Sequence, residues 1–267
     1  FFVSFIIVIT GVIDDIFKIR VIYRIIIQSF AVLLIINSGL SIDSLGNYLD
    51  FTFDLSQYNL SIFFTIFCIL ALVNSINFID GIDGLASSLI IVSLITVCAY
   101  IYFTKINLNL MYIYLLINSL FIFLFFNLFL KSPFKIFLGD SGSTFLGFFL
   151  GFFLIYLTRY HATFHPILAA WTIAYPVFDS SSVILLRLKN KKNPFLPDRR
   201  HFHHILIDSG YSNLKSFFII ILSSILLSIL GGVSYFAINS FVSLLFFIVL
   251  FFSYIGLFIN YDNKKLK

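Results

Sequence analysis

Long apolar runs are the feature that most constrains this chain. Candidate spans fall near residues 1–13, 21–37, 59–76, 85–103, 109–129, 142–158, 165–186, 215–236 and 240–260, nine in all. A helix that crosses a bilayer needs about 20 apolar residues, and lipid forces each backbone N–H and C=O to pair internally. Of the 267 residues, 60% are apolar and 11% charged, against about 25% charged in a soluble domain. A soluble core could not hide this much Phe, Ile and Leu. The expected fold is all-α, a polytopic transmembrane helical bundle of about nine spans forming one domain over residues 1–267.

Charge gives the bundle a direction. If the gap after the first span faces the cytoplasm, so do residues 14–20, 77–84, 130–141, 187–214 and the tail after 260. With Arg24, one turn into the second span, and Lys215, the first residue of the eighth, that side holds all of the 17 Lys and Arg except Lys105 and Arg159. Lys/Arg asymmetry sets membrane orientation, so this face is expected in the cytoplasm, in an inner or plasma membrane. The net charge of +5 then follows from topology and gives no reason to expect a nucleic-acid partner. A basic face also favours anionic head groups and phosphorylated substrates.

The longest outer loop, 38–58, alternates Leu49, Phe51, Phe53 and Leu55 with Asp50, Thr52, Asp54 and Ser56. That period of two predicts a short hairpin lying on the membrane. Cys68 and Cys98 lie in apolar runs and read as small hydrophobes. The chain opens on Phe1 with no charged segment before its first apolar run, so that run is no signal peptide. It reads as a fragment whose N-terminus lies further upstream.

Four polar clusters interrupt the apolar pattern, all on the cytoplasmic side. The first contains Asp14, Asp15 and Lys18. Adjacent acids at a helix end are costly unless hydrated, paired or bound to metal. The bland reading is a solvated helix end. The second runs Asn74-Ser75-Ile76-Asn77-Phe78-Ile79-Asp80-Gly81-Ile82-Asp83-Gly84. Asp80 and Asp83 share a face if helical, and oxygen ligands of this type suit magnesium and nucleotide hydroxyls. A Gly/Asp turn is the rival. The third, Gly139-Asp140-Ser141-Gly142-Ser143, opens a helix whose N-terminus attracts phosphate, with Asp140 as a cap or a metal ligand. The fourth is Pro197-Asp198-Arg199-Arg200-His201-Phe202-His203-His204. Its Arg and His groups can bind a diphosphate and donate protons near neutral pH. Zinc is the rival there, though no Cys lies nearby to complete a site. There is no Glu, so acid chemistry rests on twelve Asp. Asp179, inside a span, is a functional candidate by its position. His161 and His165 read as interfacial, and Gln28 as a helix–helix contact.

Together, the segments DDIFK, NSINFIDGIDGLA, FLGDSGSTFLG and PDRRHFHH, in that order, resemble the polyprenyl-phosphate N-acetylhexosamine-1-phosphate transferases, the WecA/MraY-type glycosyltransferase family 4. The resemblance implies two further N-terminal spans. It also implies transfer of a sugar-1-phosphate from a UDP-sugar to undecaprenyl or another polyprenyl phosphate, with release of UMP, as the first membrane step of cell-envelope polysaccharide synthesis. Magnesium is the implied cofactor, with manganese as an alternative. By the same resemblance Asp140 and Asn77 would be metal ligands. Asp14, assisted by Asp15, would deprotonate or orient the acceptor phosphate, and Asp80 and Asp83 would contact nucleotide or metal. Lys18, Arg199, Arg200, His201, His203 and His204 would bind substrate. The His-x-His-His pattern favours a GlcNAc-type donor over the UDP-MurNAc-pentapeptide of peptidoglycan synthesis. A homodimer is left open, and an ion or solute transporter is the rival of a different class.

Overall fold

The structure is a computed structural model that describes residues 2–58, 60–191 and 200–265. Its elements are α1 (Phe2–Phe17), α2 (Val21–Asn37), β1 (Ser44–Tyr48), β2 (Phe51–Asp54), a 3₁₀ turn (Ser56–Tyr58), α3 (Ser61–Ile79), α4 (Leu85–Phe103), α5 (Met111–Leu128), α6 (Gly139–Tyr160), α7 (Pro166–Thr172), α8 (Ala174–Lys189), α9 (Phe202–Asp208), α10 (Asn213–Ala237) and α11 (Ser240–Lys265). Every expected span corresponds to a helix or a helix pair. The period-two loop forms the antiparallel hairpin β1–β2, with Tyr48 opposite Phe51. Its turn falls on Leu49 and Asp50, both at positive φ (48° and 67°).

Among the described residues six helices are long and apolar enough to cross a membrane, or seven if α7 and α8 count as one bent span, against the nine expected. The difference lies in α1 and α2, which have 16 and 17 residues. At about 1.5 Å per residue they fall short of a hydrocarbon core about 30 Å thick. Outward faces carry exposed apolar side chains at helical spacing, such as Leu222, Leu226, Ile229 and Val233 on α10. The chain is a multi-pass membrane protein.

One expected span is broken. The run 165–186 divides at Ile173, where α7 and α8 meet at 73°. Pro176 explains the break: its ring excludes the carbonyl four residues back and it offers that carbonyl no N–H. The carbonyl concerned belongs to Thr172, and Ser93 Oγ donates to it at 3.0 Å. The helix–helix seam thus restores the bond that Pro176 removes.

Glycines bring the helices close. A Cβ on Gly11 of α1 would lie 2.3 Å from Ser141 Cα of α6, and one on Gly147 of α6 would lie 2.9 Å from Val73 Cα of α3. Small residues at such crossings let membrane helices approach backbone to backbone. α6 is therefore pressed between α1 and α3, and its N-terminus lies beside the C-terminal ends of both.

Candidate active site

The site is built around the start of α6. Gly139 has φ +68°, which favours glycine, and a Cβ there would stand 2.9 Å from Asp15 Oδ2. The open space lets Asp15, at the end of α1, accept hydrogen bonds from the Asp140 N–H at 2.8 Å and the Ser141 N–H at 3.2 Å. A carboxylate from another helix thereby caps α6, favoured by the helix dipole. The N–H groups read from sequence as a phosphate seat are occupied by Asp15, and Asp140 is not the cap.

Asp14 points inward and is buried. Its Oδ2 accepts from Arg24 Nη1 at 2.7 Å, and Arg24 Nη2 donates to Asn74 Oδ1 at 3.3 Å. The same Nη1 lies 3.9 Å from Asp140 Oδ2. Arg24, rather than Lys18, is the cation paired with Asp14. Lys18 is exposed, at φ 48°, at the cavity edge. Across from Arg24, Asn77 Nδ2 donates to Asp140 Oδ1 at 2.8 Å and to Ser143 Oγ at 2.9 Å.

The segment after α3 is a turn and not a helix, so Asp80 and Asp83 do not share a helical face. α3 ends at Ile79, and Gly84, at φ +70°, precedes the first residue of α4. Asp80 turns toward Asp140, while Asp83 pairs with Lys135 at 2.6 Å. Burial, then the charges of Asp140 and Asp83, push the Asp80 carboxyl up to about 7.

The histidines divide. His201 Nδ1 meets Asp179 Oδ2 at 2.7 Å. His203 is buried against Gly81, and its Nε2 has no hydrogen-bond partner among the described residues. Burial, then the neighbouring His204 charge, lower it to about 4, which leaves it neutral at pH 7. His204 and Arg200 both have interaction partners. Arg199 lies outside the described residues.

Asp14, Asp15, Lys18, Arg24, Asn77, Asp80, Asp140 and His201 line one cavity of about 560 Å³. Asp83, His203 and His204 do not line it. Among the described residues no three His, Cys or acidic side chains form a ready metal cage. Magnesium needs less, since it binds through one or two carboxylates and takes its other ligands from water and phosphates. Asp80 is raised first by burial and then by the charges of Asp140 and Asp83, and a divalent cation would offset that second, repulsive part. The donor set fits such an ion.

A profile of glycosyl transferase family 4 matches residues 1–158. The chain belongs to this family. It is 30% identical over 254 residues to the undecaprenyl-phosphate alpha-N-acetylglucosaminyl 1-phosphate transferase of Escherichia coli (strain K12), an alignment covering 93% of this chain and 69% of that protein. The protein of the same name from Haemophilus influenzae is 33% identical over 261 residues, covering 95% and 73%. Two residues of this family 4 chain gain their partners only in the structure. In the sequence Arg24 reads as part of the charge bias, although a cation one turn inside a span signals a buried partner. Asp179 reads there without a partner, because His201 is 22 residues away.

Proposed function

We propose that this protein transfers N-acetylglucosamine-1-phosphate from UDP-N-acetylglucosamine to a polyprenyl phosphate, at the cytoplasmic face of the inner or plasma membrane. One observation carries the reading. Polar and charged side chains from α1, α2, α3 and α6, with Asp80 just after α3 and His201 just before α9, converge on a single cavity at one end of a lipid-embedded bundle. The relatives' names supply the sugar and the lipid, and the Lys/Arg bias supports the cytoplasmic side.

In the reaction an oxygen of the polyprenyl phosphate attacks the β-phosphorus of the UDP-sugar. The bond from that phosphorus to the bridging oxygen breaks, and UMP departs with the electron pair. Two anions must meet, so charge placement dominates. Magnesium, or manganese in its stead, would be held by Asp140 and Asn77 with Asp80 beside them, and when bound it neutralises the diphosphate. Asn77 orients Asp140, and Asp15 fixes the helix start that carries it. A phosphate monoester is mostly dianionic at pH 7, its second pKa being about 6. Asp14 therefore has little proton to remove, and its part is to hold the Arg24 guanidinium toward the acceptor head group. Lys18, Arg199 and Arg200 would add positive charge for the substrates, and His201 would meet the diphosphate.

Purified protein in polyprenyl-phosphate vesicles with magnesium should move label from UDP-GlcNAc into lipid and release UMP. UDP-GalNAc and UDP-MurNAc-pentapeptide should serve far less well. Solute flux across the vesicle without transfer would replace the enzyme by a transporter.

A further inference from the structure

Asp179 is fully buried in α8, and both of its oxygens are engaged. Oδ2 meets His201 Nδ1 at 2.7 Å, and Oδ1 accepts from the Phe202 N–H at 2.8 Å and more weakly from the Tyr254 hydroxyl at 3.4 Å. A buried carboxylate in a membrane segment is costly, so a seat with three donors calls for a purpose beyond packing. The His201 ring is held from its other sides too. It stacks on His203 at 5.9 Å and 10°, and lies 5.7 Å from the Phe78 ring. Its main chain is extended, as the residue preceding α9. Nδ1 is thus taken by Asp179, and His201 lines the cavity beside Asp80 and Asp140.

We infer that Asp179 is a positioning residue: it fixes His201 with the proton on Nδ1, so that Nε2 is presented to the diphosphate of the nucleotide donor. This rests on the transferase reading above. The physical basis is tautomer control. An imidazole whose Nδ1–H is given to a carboxylate has Nε2 as its only edge for binding or proton exchange. The Phe202 N–H, bound to the same carboxylate, ties the start of α9 to α8, so one side chain sets both the ring and the helix that bears it. Asp179 itself touches neither substrate.

Asp179→Asn is the discriminating change. The amide oxygen can still accept from Phe202, but the amide nitrogen would donate to His201 Nδ1 and force the proton onto Nε2. With wild-type protein transferring normally, D179N should lower kcat/KM for UDP-GlcNAc by about 10- to 100-fold. The KM for polyprenyl phosphate should stay unchanged. His201→Gln should lose a similar factor, and the double variant should be no worse than H201Q alone. Multiplying losses in the double variant, or wild-type rates in D179N, would overturn the inference while leaving the transferase intact. A wild type with no transfer would instead remove the transferase reading. Should D179N fail to fold, ¹⁵N-histidine spectra of the wild type, with His201 assigned by difference from H201Q, decide the matter. A proton on Nδ1 is expected, and one on Nε2 alone overturns the inference.

Discussion

The two ends of the bundle each hold a partly buried carboxylate that ties distant elements together, and the two are treated in opposite ways. At the hairpin end Asp43 accepts from Ser41 and Ser61 and pairs with Arg159 of α6. Burial pushes its carboxyl up, but the hydrogen bonds from Ser61 and Ser41 and the Arg159 charge outweigh that and hold it below the usual value. The hairpin is held there too, with His165 and Ser240 both bonded to the Asn47 carbonyl. At the cavity end Asp80 is pushed the other way, to about 7, by burial and then by the charges of Asp140 and Asp83. The carboxylate at the hairpin end is satisfied by the fold. The one at the cavity end is buried beside other acids, the kind of perturbed group that marks a candidate functional site.

The largest effect should come from Asp140→Asn. It keeps the shape of the side chain and removes the charge, and transfer should fall by about 10²–10³-fold or more with the protein still folded. Transfer assays paired with thermal unfolding would show this.

Next is a contrast between the two arginines. Arg24→Ala strips a pair that is almost wholly buried, with side chains 8% and 7% exposed, and should cost about 3–5 kcal/mol. Arg159→Ala removes a pair whose Arg side chain is 40% exposed, and should cost about 1 kcal/mol or less. Equal losses in denaturant titrations would erase the distinction between the two ends.

The pH dependences should also oppose. The folded Asp80 holds its proton up to about 7, whereas the unfolded chain releases it near 3.8. Its contribution to stability is thus full below about 4 and declines as pH rises through 7. Asp43 has a depressed folded value, so its contribution is present above 3.8 and lost on acidification. In metal-free detergent solution Asp80→Asn should flatten the decline in unfolding midpoint between pH 4 and 7. Asp43→Asn should flatten only the acid limb. The smallest effect belongs to Lys135→Ala. It frees Asp83, which lies off the cavity and is 47% exposed, and should change transfer less than about threefold.

Much of this was legible in the sequence. The apolar runs became helices, the period-two loop became a hairpin, and Asp14, Asp15, Asn77, Asp80 and Asp140 met in one cavity. Features set by local pattern were readable; features set by tertiary contact were not. Asp15 caps α6 through the N–H of a residue 125 positions later, and no local signal announces that. The same holds for Asp179 and His201. Two further features do have a local signal. Pro176 inside an apolar run marks a break, and Gly81 and Gly84 already favoured a turn over the helix that would have aligned Asp80 with Asp83.

The central claim is that the cavity lined by Asp80 and Asp140 moves a sugar-phosphate onto a lipid phosphate. UDP-GlcNAc labelled with ³²P at the β-phosphate tests it most directly, with polyprenyl phosphate, magnesium and the purified protein in vesicles. The expected result is label in the lipid fraction, matched one for one by unlabelled UMP and abolished in D140N. Label remaining in water-soluble products, or the same transfer in D140N, would contradict it.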